Sequence, residues 1–400
     1  MPKLGYSFFS VVLKIFSGLL IVRIILSYFS NEFYLMYYDY LNISTIMLSI
    51  SGGSMNTGVI KLVAQTSDDY LKYKKLISEL LSIILILYLL TILLTLVSLF
   101  FFSSNHISNG ILIFTSITIV IRSFTMLIEG IANGKLKISL LFWSNVILLI
   151  SSLISLYFVR YLNDYDIYFY LFPITYIPVL FYLYKKIDFN FSFDFKNIRK
   201  SRLMELFKYS SYSLVTVLSV SFSMLFFRDI LLERSSIEWT SNWQAMMSIS
   251  MSLITIISAP VSILLLPKIA SENKIYNSKS SSLFYIVLLW LATSFIILIS
   301  SDLIEFILFN NKIELSLFIL SILMFTSLIR IISQLLTQFY LAEFKIFYIV
   351  IGEIIYFSIS LSLPFIFINE ISVVYSYCLG SIISLTYLIL KSNKLNKIKW

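Results

Sequence analysis

One cysteine and one histidine stand in a chain of 400 residues, and only 13% of its side chains are charged. The lone Cys378 excludes an intrachain disulfide and any multi-cysteine metal site. His106, in the polar break Ser103-Ser104-Asn105-His106, has no second histidine to join. Neither a zinc site of the usual kind nor a serine–histidine triad can therefore form, and a lone loop histidine is most simply a solvated side chain. No Walker-type or dinucleotide-binding glycine loop occurs, so nucleotide is not the energy source unless another subunit supplies it. Scarce charge excludes most: water-soluble domains carry about 25% charged residues. Here 59% of residues are hydrophobic and 17% aromatic, too little polar material to cover even one soluble domain of this length.

What is present in quantity is apolar sequence in long runs. A membrane helix needs about 20 apolar residues, and the runs between polar breaks predict twelve. Six lie at 5–29, 38–63, 77–102, 110–132, 139–160 and 166–184. After a basic break at 185–207, six more lie at 208–231, 241–267, 282–301, 314–340, 345–367 and 371–390. The first run is too long for a cleaved signal, is interrupted by Lys14 and Arg23, and lacks a small-residue cleavage site. The expected fold class is thus an all-α polytopic membrane protein. Its expected organisation is a six-helix bundle over 1–184, a basic linker over 185–207 and a second bundle over 208–400.

Lysine and arginine orient the spans. With the N-terminus in the cytoplasm, 21 of the 30 basic residues fall in cytoplasmic segments and only Arg160, Arg234 and Lys312 fall outside. Both termini are expected to be cytoplasmic. The net charge of +9 then reflects attraction to an anionic leaflet and not to nucleic acid. All outside loops are short, the longest being 302–313, which gives no room for an enzyme domain that grips extracytoplasmic polymer.

The two halves match at an offset of roughly 206 residues, a figure read from the sequence itself. Arg23 corresponds to Arg228, Arg122 to Arg330 and Lys137 to Lys345, in that order. Each half holds six spans starting on the same side, the pattern of a parallel repeat about an axis along the membrane normal. Span 2 carries Gly52-Gly53 and Gly58, and span 8 carries Ala259-Pro260 at the corresponding place. Paired helix breaks point to a transporter's substrate site, although glycine and proline are also simply common in membrane helices.

The remaining six basic residues, Lys14, Arg23, Lys61, Arg122, Arg228 and Arg330, fall inside spans. Each costs about 2.5–3.5 kcal/mol near the bilayer centre, so four lipid-facing arginines would cost on the order of 10–14 kcal/mol. Arg122 and Arg330 are mid-span and lie on polar stripes at helical spacing: Thr115, Thr118, Arg122, Thr125, Glu129, and Thr326, Arg330, Ser333, Thr337. Both are expected to face a cavity. Arg23 and Arg228 lie within two turns of the outer interface, where snorkelling is the alternative. Lys14 shares a small-polar stripe with Ser10 and Ser17, while Lys61 is expected at the cytoplasmic interface.

The acids inside or bordering spans are Asp39, Glu129, Asp229, Glu343 and Glu353. They either neutralise the arginines or, for Asp39, Glu129 and Glu353, take up a coupling proton or Na⁺. No other cofactor and no metal is expected. At the start of span 8, Trp239, Asn242, Trp243 and Gln244 combine stacking surface with amides, which suits a glycan as well as an interfacial anchor.

A resemblance sharpens this. The segment Val12-Leu13-Lys14-Ile15-Phe16-Ser17-Gly18-Leu19-Leu20-Ile21-Val22-Arg23 resembles the first helix of bacterial polysaccharide flippases, the O-antigen and lipid III (Wzx-type) translocases. Gly52-Gly53 followed by Asn56-Thr57-Gly58-Val59-Ile60-Lys61-Leu62-Val63-Ala64-Gln65 is similar to the end of their second helix. Asn242-Trp243-Gln244, Leu266-Pro267-Lys268 and Phe309-Asn310-Asn311-Lys312 are similar to family segments in the same order. The resemblance implies the fold of the multidrug/oligosaccharidyl-lipid/polysaccharide (MOP) exporter superfamily, with two bundles around a cavity. It implies a bacterial inner-membrane flippase whose cargo is an undecaprenyl-diphosphate-linked oligosaccharide, with a polysaccharide polymerase and a chain-length regulator as partners. The family's cationic cavity falls on Lys14, Arg23 and Arg330, whereas Arg122 rests on the repeat and its stripe alone. The alternative is a drug exporter of the same fold, which predicts a cavity dominated by acids. A membrane polymerase, which predicts a large external loop or a loop acid pair, is the weaker one, since the sequence has neither. The glycine-aspartate-arginine loop usual in major-facilitator transporters is missing, where this chain reads Thr66-Ser67-Asp68-Asp69-Tyr70.

Overall fold

The structure is a computed structural model that describes residues 2–66, 69–101, 108–162, 164, 166–187, 193–195, 200–272, 281–342, 345–367 and 369–393. His106 and Glu343 lie outside the described residues, as do Ser67 and Asp68. A chain that lies in hydrocarbon must satisfy every backbone N–H and C=O internally, which leaves the helix as the available form for an open segment. All regular structure among the described residues is helical. The first half contains α1 (Pro2–Tyr28), α2 (Asn31–Ile50), a 3-10 turn at Gly53–Met55, α3 (Asn56–Thr66) and α4 (Tyr70–Phe101). It continues with α5 (Asn109–Gly134), α6 (Ile138–Leu162), α7 (Asp166–Ile174) and α8 (Tyr176–Lys186). The second half contains α9 (Lys200–Arg234), α10 (Ile237–Glu272), α11 (Ser281–Ile299) and α12 (Ser301–Phe309). It ends with α13 (Leu317–Ala342), α14 (Ile346–Ile366) and α15 (Ser372–Asn393).

Among the described residues nine helices are long and apolar enough to cross a membrane. Two bent pairs, Asn31–Ile50 with Gly53–Thr66 (65°) and Ile286–Ile299 with Ser301–Phe309 (76°), bring the number to eleven. The eighth predicted span lies in α10, whose side chains are described as far as Ser258. All twelve predicted segments are thus helical. Side-chain distribution is that of a membrane protein, with apolar groups outward and small polar groups inward. Along α4, Ser82, Thr91 and Thr95 are buried while Leu89, Leu93, Leu94 and Val97 are exposed.

Cα packing divides the chain into two compact units, Met1–Ser17 with Met36–Leu218 and Gly18–Leu35 with Ser219–Trp400. The boundary by packing therefore crosses α1 between Ser17 and Gly18, where a division by chain order keeps the whole helix in the first half. Two bonds tie the later part of α1 and its end to the second unit. Arg23 Nη1 donates to the Phe306 carbonyl at 3.1 Å, and Lys312 Nζ donates to the Phe29 carbonyl at 3.1 Å.

The repeat is visible in the element bounds. Helices α5 and α13 both have 26 residues and begin 208 residues apart. α6 and α14 also begin 208 residues apart, and α2 and α10 begin 206 apart. In the first unit α5 packs against α3, α4, α7 and α8; in the second, α13 packs against α10, α11, α14 and α15. The two central helices are the ones that carry Arg122 and Arg330.

The two predicted helix breaks fare differently. Gly52 adopts φ 112°, which glycine reaches without steric cost, and the chain turns by 65° there. A 2.6 Å hydrogen bond between the Ser51 and Ser123 hydroxyls pins the turn to α5. At Ala259-Pro260 the expected break is absent, because α10 runs through it as a continuous helix. A proline removes one backbone bond, and neighbouring helices can absorb that loss in a membrane without ending the helix.

The bent segment then lies close against α5. A Cβ added at Gly134 would sit 2.9 Å from the Ile60 carbonyl oxygen and 2.9 Å from Val63 Cβ, and one at Gly130 would collide with Asn56. Gly130 and Gly134 are four residues apart on one face, the small-residue spacing that lets membrane helices approach closely. Gly134→Leu is expected to cost about 1–3 kcal/mol through overpacking, read as a lower melting temperature of the purified protein. Gly18, with open space around it, should accept alanine with unchanged or raised stability.

Candidate functional site

In the first unit the polar stripe of α5 faces protein. Thr115 Oγ1 donates to Tyr40 Oη at 3.2 Å, and Tyr40 Oη donates to the Phe169 carbonyl at 3.1 Å. Two turns further on, Arg122 Nη1 donates to Ser44 Oγ at 3.2 Å. Its guanidinium carbon lies 4.9 Å from the Tyr176 ring centroid and 5.6 Å from that of Phe172. The break between α7 and α8 at Thr175 places those two rings side by side beneath the cation. Arg122 is half-buried and makes no ion pair among the described residues. Its partners are a hydroxyl and two aromatic faces, all neutral.

Glu129 lies two turns along the same stripe, with Ser144 Oγ donating to its Oε1 at 3.5 Å. Lys14 and Arg122 are the cations within its electrostatic reach. Asn145 Nδ2 donates to Ser10 Oγ at 2.9 Å, which joins α6 to the polar face of α1 beside Lys14. The first unit thus gathers Lys14, Arg122 and Glu129. Asp39 is buried in the same unit on α2. Lys61 is buried as well, because the bend at Gly52 lays α3 against α5. Glu79 on α4 is buried too, an acid that hydropathy hides at the edge of a long apolar run.

The second unit treats its cations differently. Arg330 Nη2 lies 3.5 Å from Glu353 Oε2, and its guanidinium carbon stacks 4.3 Å from the Tyr356 ring centroid. Both members of this ion pair are buried. Arg228 is fully buried on α9, and its Nη1 donates to Gln244 Oε1 at 2.6 Å. Arg23 is half-buried and spends its Nη1 on the Phe306 carbonyl, so neither it nor Arg228 snorkels free of protein. Each of these three arginines has its own partners, on α14, α10 and α12 respectively.

The candidate glycan residues part company along α10. Trp243 is buried and meets Phe227 edge-on at 6.2 Å, and Gln244 is taken by Arg228. Asn242 instead lines an open pocket with Trp239, Glu305 and Glu314. Tertiary packing separates the two pairs: Trp243 stands one turn from Trp239, within about 40° of it on the helix, yet it is buried with Gln244, while Trp239 and Asn242 line the pocket. The pocket acids and the aromatic partners Tyr176 and Tyr356 escape a reading of the sequence. Tyr356 alone has a local signal, standing three residues after Glu353 on one helix face.

No protein-family model matches the chain, and no curated protein matches it. Solved structures do. An outward-facing multidrug-resistance MATE family transporter of the MOP superfamily aligns over 99% of this chain and 97% of its own, at 13% identity and a TM-score of 0.74. An inward-facing MATE transporter aligns over 97% and 96% at 13% identity and 0.73. A MATE crystallised in complex with MaL6 aligns over 99% and 97% at 12% identity and 0.74. At such identity the likeness speaks for architecture and not for cargo. The chain has the all-helical fold of MATE transporters of the MOP superfamily.

Proposed function

We propose that the protein is a secondary transporter that flips an undecaprenyl-diphosphate-linked oligosaccharide from the cytoplasmic to the periplasmic leaflet of a bacterial inner membrane. The observation that carries this reading is the setting of Arg122. A charged group inside a membrane bundle is expensive and is kept where it meets a partner or a substrate. Arg122 has an oriented guanidinium fork, a desolvating aromatic floor and no carboxylate bound to it. Such a fork suits the oxygens of a diphosphate, and charge-assisted hydrogen bonds strengthen in a low dielectric. Lys14 adds a second cation in the same unit. The MATE-like fold supports alternating access as the means of transport. Both termini cytoplasmic, with a polymerase and a chain-length regulator as partners, complete the reading.

Arg330 and Arg228 then serve architecture. Arg330 is neutralised by Glu353, and Arg228 donates to the Gln244 amide oxygen among its contacts. The coupling acid is Glu129 in preference to Glu353, since Glu129 accepts only a long serine bond and shares its stripe with Arg122. A second reading, ion-coupled export of cationic drugs, is favoured by the fold of the solved neighbours alone. It predicts acids where the first unit presents Arg122.

Charge-assisted hydrogen bonds contribute about 1.5–3 kcal/mol each, one to two orders of magnitude in affinity. Arg122→Ala is therefore expected to cut surface polysaccharide at least about tenfold at equal protein level, with Arg122→Lys retaining part of it. Wild-type polysaccharide in Arg122→Ala cells, or dye extrusion that survives the change, would favour the drug-export reading. Glu353→Gln leaves Arg330 buried without its carboxylate and should destabilise by about 3 kcal/mol. Pairing it with Arg330→Met should restore the melting temperature. A Glu353→Gln protein as stable as wild type would remove the ion pair from the account.

A further inference from the structure

A pocket of about 530 Å³ opens in the second unit where the starts of α10 and α13 meet α12 and the 310–316 loop. Its size is within the range of small-molecule sites. The walls are stapled. Asn310 and Asn311 both take φ 54°, a left-handed pair that asparagine tolerates, and so end α12 sharply. The Asn311 amide returns to the Glu305 carbonyl at 3.1 Å. Leu315 N donates to Glu305 Oε1 at 2.6 Å, and Glu314 N donates to Asn242 Oδ1 at 3.1 Å.

Those bonds fix the pocket's polar groups and leave part of each one open. Asn242 gives its oxygen to the loop and keeps its amide N–H donors. Glu305 gives one carboxylate oxygen and keeps the other. The Glu314 carboxylate has no hydrogen bond or ion pair among the described residues, and its residue is exposed. Trp239 is half-buried, and its indole meets no other ring among the described residues. Met246 adds apolar floor.

An aromatic face, an amide donor and two carboxylate acceptors within one fixed concavity are the recognition set for a sugar ring. The apolar C–H face of the ring lies on the indole, and its hydroxyls bond at the edges. Two carboxylates repel a negative ligand. We infer that this pocket binds a sugar ring without negative charge, a neutral or amino sugar, and rejects acidic sugars. The inference rests on the flippase reading for its purpose, that of holding part of the cargo glycan, while the binding itself is measured independently.

The test is titration of the full-length purified protein with N-acetylglucosamine, glucosamine and glucuronic acid, followed by tryptophan fluorescence and calorimetry. Saturable binding is expected for the first two, with glucuronic acid about tenfold or more weaker through like-charge repulsion. Trp239→Ala should weaken N-acetylglucosamine binding at least about fivefold and Trp239→Phe far less, as loss of a stacking face requires. Glu314→Gln, on an exposed side chain that folding does not need, should narrow the gap between glucuronic acid and the neutral sugar. No saturable binding of any of the three sugars overturns the inference. So does binding that is indifferent to Trp239→Ala, or stronger binding of tetramethylammonium than of any sugar. Arg122→Ala should leave these titrations unchanged. Failure of the titrations with transport still dependent on Arg122 sinks the pocket alone. Sugar binding with transport indifferent to Arg122 sinks the flippase reading alone.

Discussion

Buried positive charge in an apolar solvent is the constraint on which the rest of this structure depends. Hydrocarbon offers no water to a guanidinium, so each arginine within a span must find protein partners or await a ligand. The chain meets that demand in several ways. Arg330 takes a carboxylate, Arg228 a glutamine amide oxygen, Arg23 a helix-terminal carbonyl, and Arg122 a hydroxyl and two aromatic rings. Arg122 and Arg23 are both half-buried with neutral partners, and of the two only Arg122 stands on a central helix of its unit and over aromatic rings. The repeat supplies two equivalent central helices with different partners: α13 carries a buried ion pair, and α5 carries an arginine without a carboxylate partner among the described residues.

Packing around these charges follows from small residues. Gly130 and Gly134 let the bent α3 lie on α5, and Gly352 and Gly380 allow α14 and α15 similar closeness. Serine and threonine fill the interiors, and most of them return their hydroxyls to a carbonyl three or four residues earlier, as Ser82, Thr91 and Thr95 do. Their donors are thereby satisfied without calling on a neighbouring helix. Side-chain bonds between helices, such as Ser51 with Ser123 and Trp290 with Ser327, add specific register.

Much of this was legible in the residue order. Long apolar runs located all twelve helices, Gly52-Gly53 marked the bend in span 2, and the Thr–Arg–Glu stripe marked the face of α5 that meets protein partners. Pro260 misled, because a membrane helix can lose one backbone bond and continue. Tyr176 under Arg122 is 54 residues away in sequence, and no local period connects them. Likewise the flippase resemblance pointed to Arg330 before Arg122. Only the position of Glu353 on a neighbouring helix shows that the Arg330 charge is already met. Trp239 and Trp243 stand one turn apart on one helix face, so only packing shows that the first lines a pocket and the second is buried. The assignment of Gly18–Leu35 to the second unit follows from backbone packing against segments far away in the chain, which side-chain patterning does not encode.

On the proposed reading Arg122 holds the diphosphate of a lipid-linked cargo. This is tested most directly by the affinity of nanodisc-reconstituted protein for undecaprenyl diphosphate, compared between wild type and Arg122→Gln. The account predicts saturable binding to wild type that weakens by about tenfold or more in the variant, with Arg330→Met/Glu353→Leu binding as wild type does. Equal affinity for wild type and Arg122→Gln would contradict it.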